Sequence, residues 1–247
     1  MTNFQAMADE DNPLPSYDFL AGATLLVDKP QGWTSFDVVN KIRYKLKHQL
    51  KVKKIKVGHA GTLDPMATGL LVICTGKFTK KLTNFQGLPK TYTGTFRLGA
   101  ITPSFDAETE ISEEFPVDHI TEEMLHQAKE SLTGALQQVP PMFSAIKVNG
   151  QPLYKRARKG EKIEIEPRDV HIYNFELTNI NLPDIDFAVR CSKGTYIRSL
   201  ANDFGKALNS GAYLSALRRT SVGEFHIDNA WKLEELLDHI EQMEMEV

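Results

Sequence analysis

Apolar residues recur along the chain in spacings that are typical of β-strands at four places. Short apolar runs at residues 24–28 and 70–74 predict two buried strands. Residues 92–98 and 187–191 alternate between apolar and polar side chains. This alternation predicts two more strands, each with one face on a core.

Four helices are predicted where apolar positions recur every three or four residues. In the first, Thr34 or Ser35 caps a helix whose apolar face consists of Val38, Val39, Ile42 and Leu46. The other three helices span residues 122–132, 197–208 and 232–243. Because strands and helices mix without a regular strand–helix–strand alternation, the pattern predicts a mixed α/β, or α+β, sheet domain.

Charge is distributed unevenly along the 247 residues, whose formal net charge is −3. No acidic residue lies between Asp37 and Asp64, a stretch that carries eight lysines and arginines, and smaller basic clusters lie at residues 77–81 and 155–159. Polyanion binding depends on the local field over one face rather than on net charge. The alternative is that each cluster is simply a solvated helix surface.

Several classes of protein are excluded by composition. No apolar run approaches the roughly 20 residues that span a bilayer, and the acidic N-terminus does not resemble a secretory signal. The two cysteines, Cys74 and Cys191, lie far apart, and the seven histidines show no metal-binding spacing. We therefore expect a cytoplasmic protein without a membrane segment or a bound metal. Residues 1–22, rich in Asp, Asn and Pro, predict a flexible tail.

The densest candidate for a reactive site is the segment of residues 58–71, where three glycines, two threonines and a proline surround Asp64. Glycine permits close backbone approach to a ligand, and proline fixes the backbone after the carboxylate. Asp64 is either a functional carboxylate or the cap of a turn. A phosphate-binding P-loop is excluded because Gly76-Lys77 is followed by Phe78.

A second candidate segment runs from residue 191 to residue 198 and joins a predicted strand to a predicted helix. Arg198 falls in the first turn of that helix, where the helix dipole does not favour a cation. Its position suggests a specific anionic partner. The alternative is an ordinary surface arginine.

Five segments, in order, resemble the tRNA pseudouridine synthase B family. The first is Leu-Val-Asp-Lys-Pro-Gln-Gly at residues 26–32, and the second is Gly-Thr-Leu-Asp-Pro-Met-Ala-Thr-Gly at residues 61–69. The others are Lys-Thr-Tyr at residues 90–92, Pro-Pro-Met-Phe-Ser-Ala-Ile-Lys at residues 140–147, and residues 191–198. The likeness covers roughly residues 23 to 225.

The resemblance implies an α+β fold with a mixed, mainly antiparallel sheet flanked by helices. It also implies isomerisation of a T-loop uridine of tRNA, at position 55, to pseudouridine. Asp64 matches the catalytic aspartate, Tyr92 the tyrosine that stacks on the target base, and Arg198 the arginine that pairs with the aspartate. Asp64 acts either as a nucleophile or as a base on the sugar.

The same resemblance implies RNA contacts, with the T arm of tRNA as the partner of a monomeric protein. His59 is expected to contact the flipped target nucleotide. The other expected RNA-binding residues are Lys29, Lys77, Lys80, Lys147, Arg158, Lys193 and Tyr196. For Lys29, the alternative is that it supports the active-site loop. No redox step occurs in the reaction, so no cofactor is expected.

The chain departs from the family pattern at three points. Phe143 stands where many members have tyrosine, Ala60 stands where threonine is common, and little sequence follows Phe225. We therefore expect one catalytic domain at residues 23–247, with an RNA-gripping insertion around residues 133–160. No separate C-terminal RNA-binding domain is expected. Two alternatives stay open: an RNA-binding or tRNA-folding module, and the same chemistry on another RNA.

Overall fold

A computed structural model describes residues 17–148, 150–161 and 163–243. The chain divides into two compact units. Unit 1 comprises Met1–Thr91 and Arg218–Val247, and unit 2 comprises Tyr92–Leu217. No helix among the described residues is long and apolar enough to cross a membrane.

Strands and helices are numbered here in chain order. The strands are β1 (Thr24–Lys29), β2 (Val57–His59), β3 (Thr68–Thr75), β4 (Lys90–Leu98), β5 (Ala100–Ile101), β6 (Glu113–Glu114), β7 (Gly134–Gln138), β8 (Lys147–Val148), β9 (Gln151–Pro152), β10 (Arg168–Asn181), β11 (Asp184–Cys191), β12 (Ala212–Val222), β13 (Phe225–His226) and β14 (Trp231–Lys232). The α-helices are α1 (Ser35–Gln49), α2 (Leu82–Gly87), α3 (Glu122–Ser131), α4 (Leu153–Ala157), α5 (Ile197–Ala207) and α6 (Leu233–Gln242). Two 3₁₀ helices lie at Gly76–Lys81 and Ile227–Asn229.

Unit 1 is built on β1 and β3, which pair antiparallel from Thr24 opposite Cys74 to Lys29 opposite Gly69. β14 continues this sheet in parallel beside β1, and β2 pairs antiparallel with β3. The outer end of β12 pairs in parallel with β3 at residues 218 and 219. The apolar faces of α1 and α6 cover β1 and β3 with a shared core.

The start of α1 shows why the sequence forms a helix there. The Thr34 hydroxyl accepts a hydrogen bond from the amide of Asp37 at 3.0 Å, and the Asp37 carboxylate accepts one from the amide of Thr34 at 3.0 Å. This reciprocal capping box satisfies two backbone donors that a helix terminus otherwise leaves without partners. The hydrogen bond from Thr34 also lowers the pKa of the Asp37 carboxyl.

Unit 2 is organised around antiparallel strands with α5 packed against them. β10 pairs with β11 along most of its length and with β7 at its start, and β4 lies on the other side of β11. Four phenylalanines form the centre of its core: Phe96 stacks on Phe187 at 4.1 Å between ring centroids and also contacts Phe175 and Phe204. These rings come from three strands and α5, so they fix the helix on the sheet.

The predicted elements are confirmed, with boundaries shifted by one or two residues at most sites. The mixed, mainly antiparallel sheet flanked by helices confirms the predicted fold class. Residues 1–16 of the predicted tail lie outside the described residues. Phe19, however, is 1 % exposed and belongs to the core of unit 1, so the ordered part begins before residue 23.

Candidate active site

Asp64 lies in unit 1, in the connection between β2 and β3. Its backbone carbonyl accepts a hydrogen bond from the amide of Ala67 at 3.1 Å, and its side chain is half-buried. Gly69, the second residue of β3, has a φ of 104°, and a Cβ there would lie 2.3 Å from the carbonyl oxygen of Arg219. Only glycine fits this position, which explains why a glycine lies five residues after Asp64 in the sequence.

Side chains from β1 and α1 hold the segment on both sides of Asp64. The Ser35 hydroxyl accepts from the Leu63 amide at 2.8 Å and donates to the Leu63 carbonyl at 3.1 Å. The Lys29 ammonium donates to the carbonyls of Pro30, Trp33 and Pro65 at 2.9, 2.6 and 3.3 Å. The residues that flank the carboxylate are therefore fixed by hydrogen bonds.

Lys29 was expected to contact RNA, but its side chain is fully buried. Its ammonium faces three backbone carbonyls inside unit 1. The structure gives Lys29 a role in supporting the Asp64 segment, because a direct RNA contact would require an exposed ammonium.

Two arginines of β12 also anchor this segment, and the sequence analysis did not identify either. Arg219 is 1 % exposed and donates to the carbonyls of Leu70 at 2.7 Å and Gly61 at 3.1 Å. Arg218 forms a two-pronged ion pair with the Asp28 carboxylate at 3.1 and 2.7 Å. A guanidinium suits both tasks because its donors are planar and fixed in direction.

His59 ends β2 and is half-buried five residues before Asp64. Burial lowers its pKa from the ordinary value, and the positive charge of Arg219 acts in the same direction, outweighing a backbone contact with Gly61 that raises it. The imidazole is therefore neutral at pH 7. A neutral ring suits stacking on a base better than it suits a phosphate contact.

Tyr92 and Arg198 both lie in unit 2, and both are buried. Tyr92 sits near the start of β4 with 9 % of its surface exposed. Arg198 lies in the first turn of α5, is 4 % exposed, and donates to the carbonyls of Ser104 at 3.1 Å and Phe143 at 2.9 Å. The alternative of an ordinary surface arginine is therefore wrong.

A carboxylate that the sequence analysis missed accompanies Arg198. Asp106 is fully buried, and its Oδ2 lies 3.4 Å from the Arg198 Nε. Its Oδ1 accepts from the Ser104 hydroxyl at 2.5 Å and from the Glu108 amide at 3.0 Å. Two hydrogen bonds thus orient this carboxylate beside the guanidinium. The expected pairing of Arg198 with Asp64 stays a prediction.

The remaining predicted RNA-binding residues are distributed over both units. Lys77, Lys80, Arg158 and Lys193 are exposed, and the Arg158 guanidinium lies over the Tyr154 ring at 5.7 Å. Tyr196 is half-buried, and its backbone exchanges two hydrogen bonds with the Gln138 side chain. Lys147 lies in β8. The exposed cations are available to a polyanion, while the Tyr196 backbone is fixed by Gln138.

Solved structures with this fold include a protein complex and an assembly bound to RNA. The structure of a Cbf5–Nop10–Gar1 complex matches with a TM-score of 0.68 and 29 % identity, over 94 % of this chain and 60 % of that one. The structure of an H/ACA RNP bound to a substrate RNA containing 2′-deoxyuridine matches with a TM-score of 0.65 and 27 % identity, over 92 % of this chain and 57 % of that one.

Two protein-family models match consecutive parts of this chain. Residues 47–197 match the N-terminal domain of the TruB family pseudouridylate synthases, and residues 198–246 match the tRNA pseudouridylate synthase B C-terminal domain. The enzyme class is therefore that of the pseudouridine synthases, which are isomerases. Within that class, the chain belongs to the TruB family.

Curated relatives agree with this placement. The tRNA pseudouridine synthase B of Flavobacterium johnsoniae is 58 % identical over 86 % of this chain and 93 % of the relative. That of Parabacteroides distasonis is 52 % identical over 91 % of this chain and 96 % of the relative. The predicted division into one catalytic domain without a separate C-terminal RNA-binding domain stays a prediction.

Proposed function

We propose that this enzyme converts the uridine at position 55 of the tRNA T loop to pseudouridine, with Asp64 as its essential carboxylate. The observation that carries the proposal is the 58 % identity to a curated tRNA pseudouridine synthase B over nearly all of that relative. The fixed, half-buried Asp64 segment supports it, because a carboxylate used in catalysis must be held in one geometry.

The reaction breaks the bond between ribose C1′ and uracil N1, rotates the base and forms a bond from C1′ to C5. The proton on C5 leaves, and a proton is gained at N1, so atoms balance without an oxidant or a reductant. Asp64 either attacks the nucleoside as a nucleophile or removes a sugar proton as a base. Both routes need an ionised carboxylate.

The other proposed site residues serve binding and orientation. The neutral His59 stacks against RNA where the target nucleotide is flipped out, and Tyr92 stacks on the target base. Arg198 keeps the catalytic carboxylate ionised, and its own orientation is set by Asp106 and two carbonyls. Lys77, Lys80, Lys147, Arg158, Lys193 and Tyr196 contribute RNA contacts.

Replacing one atom of the carboxylate tests the proposal. We expect Asp64→Asn to lower single-turnover pseudouridine formation by on the order of a thousandfold or more, because the amide can neither attack nor accept a proton. Binding of tRNA should persist. Tritium release from tRNA labelled at uracil C5 measures the reaction, since the C5 proton leaves when the new bond forms.

An exposed aspartate provides the matched control. Asp118→Asn changes the same atoms on the surface and should keep full activity. Turnover by the Asp64→Asn protein at the rate of the control would contradict an essential role of the Asp64 carboxylate. A wild-type protein that binds tRNA but releases no tritium would favour the RNA-folding module, and release from other RNAs alone would favour a different substrate.

A further inference from the structure

Unit 1 carries a basic concavity outside the residues assigned to the reaction. It has a volume of about 520 Å³ and is lined by cations from α1 and from the connection that leads into β2. These cations are Arg43, Lys47, Lys53, Lys54 and Lys56, and together they are called the basic groove. Thr79, within the basic cluster of residues 77–81, and Leu82, just after it, also line the concavity.

Most of the positive charge in the basic groove is not neutralised by any residue that the structure describes. Lys47, Lys53, Lys54 and Lys56 are exposed, and they form no ion pair with any residue that the structure describes. The neighbouring Lys45 contrasts with them, because its ammonium pairs with Glu241 at 2.6 Å. Among residues 17–148, 150–161 and 163–243, no acidic side chain lines the concavity. The groove therefore presents a concentrated positive field to solvent.

Hydrogen bonds and core packing fix the backbone that carries the cations of the basic groove. The Arg43 guanidinium donates to the Asn40 side chain at 2.7 Å and to the Val57 carbonyl at 2.9 Å, which joins α1 to β2. Ile55, between Lys54 and Lys56, is 7 % exposed and packs into the core of unit 1. The lysines on either side are thus fixed at their backbones and free at their ammonium groups.

Two aromatic residues on α1, the helix that supplies Arg43 and Lys47 to the groove, are exposed. Phe36 is 62 % exposed and Tyr44 is 64 % exposed. Phe36, Arg43 and Lys47 are spaced seven and four residues apart, which places them along one face of the helix. Lysines beside exposed rings suit RNA, which offers phosphates and, where unpaired, bases that stack. An acidic peptide would use the cations and leave the rings exposed.

We propose that the basic groove binds the sugar–phosphate backbone of the substrate RNA as an accessory site, separate from the residues that handle the target uridine. This inference rests on the proposed function, because it takes the substrate to be tRNA. It accounts for polyanion binding by a protein whose net charge is −3, since the groove gathers cations from two parts of the sequence on one surface. The contacts are to phosphates, so they supply affinity rather than sequence selection.

Neutralising three lysines tests the groove. The variant Lys47→Gln/Lys53→Gln/Lys54→Gln is titrated with a fluorescent unmodified tRNA transcript between about 50 and 200 mM KCl. Each lost phosphate contact lowers the slope of log Kd against log salt by about 1, so we expect a fall of about 2 to 3. Affinity at low salt should weaken about tenfold or more, while turnover at saturating tRNA stays at the wild-type rate.

Two matched variants separate the groove from general charge effects. Lys41→Gln/Lys206→Gln/Lys232→Gln makes the same change in net charge at exposed positions outside the groove, two of them in surface ion pairs with Asp203 and Glu235, and should keep the wild-type slope. Lys47→Arg/Lys53→Arg/Lys54→Arg keeps the charge and should also bind as the wild type does. If the glutamine triple melts early, Lys54→Gln alone carries the test, with an expected fall in slope of about 1.

The outcomes distinguish this inference from the proposed function. If the glutamine triple has the same slope and Kd as the control triple, the groove does not bind RNA, and the proposal is overturned. The same result is expected if the groove binds an acidic protein instead. A wild-type protein that binds tRNA but forms no pseudouridine would overturn the proposed function while the slope comparison still decides the groove. Absence of salt-dependent tRNA binding by the wild type would overturn both.

Discussion

Asp106 and Arg198 show how a buried charge pair is stabilised in unit 2. Their side chains are 0 % and 5 % exposed, and the guanidinium also donates to two backbone carbonyls. A buried pair is not by itself evidence of stability, because both charges lose their hydration. Removing one partner is costly, however, since the other charge then loses a neighbouring counter-charge in a buried site.

Asp106→Asn is expected to lower the free energy of unfolding by about 3 kcal/mol, because Arg198 loses its neighbouring carboxylate in a buried site. Urea denaturation measures the loss. The control is Asp184→Asn, which breaks the largely exposed pair with Arg97 and should change stability by no more than about 1 kcal/mol. Equal effects of the two substitutions would show that the buried pair is not a special contributor.

The sequence could identify some of these residues and not others for a physical reason. Arg198 was recognisable because a cation in the first turn of a helix needs a specific partner. Asp106 lies near several exposed acidic residues, and nothing local distinguishes it from them. Arg219 likewise follows Arg218 in the polar second half of β12, and only the fold shows that one of the two is buried. Burial of a charged side chain is a tertiary property.

At the scale of elements, three sets of residues on α1 have three separate roles. Val38, Val39 and Ile42 bury its inner face, and Arg43 and Lys47 line the basic groove. Its first residue, Ser35, holds the segment that precedes Asp64. The helix therefore couples packing in unit 1 to the position of the candidate carboxylate.

Ser35→Ala is expected to lower the free energy of unfolding by about 1–3 kcal/mol, because both backbone groups of the buried Leu63 lose their partner. Pseudouridine formation should also slow, with kcat falling more than KM rises, since the next residue is Asp64. Thermal melts and steady-state assays measure the two effects.

The comparison variant is Ser131→Ala, whose hydroxyl bonds only within its own helix to the Ala128 carbonyl. It should change stability by no more than about 0.5 kcal/mol. Unchanged kcat in a folded Ser35→Ala protein would contradict the role assigned to this serine.

The elements that the sequence predicted well are those with one clearly apolar face. The N-terminus of α1 was fixed by Thr34 and Asp37, and β11 by strict alternation. The two longest strands were missed. β10 buries only Val170, Ile172 and Phe175 among its 14 residues, and β12 carries two arginines. Their pairing with other strands, rather than their own pattern, makes them strands.

At the scale of the whole molecule, net charge is a poor guide to the partner. The chain is acidic overall, yet unit 1 gathers lysines and an arginine in one groove, and acidic residues cluster elsewhere in sequence. Family membership defines the enzyme class, and the five motifs span both units. The tRNA substrate is proposed from the names of the relatives, and position 55 is proposed from the resemblance of the five motifs.

A base-resolution pseudouridine map of unmodified total tRNA after incubation with purified protein tests most directly whether this enzyme modifies one uridine in the T loop. The Asp64→Asn protein is the control. We expect one new pseudouridine, at position 55, in each tRNA that has uridine there, and none with the variant. Pseudouridine at other positions with position 55 unmodified, or the same map from the variant, would contradict this expectation.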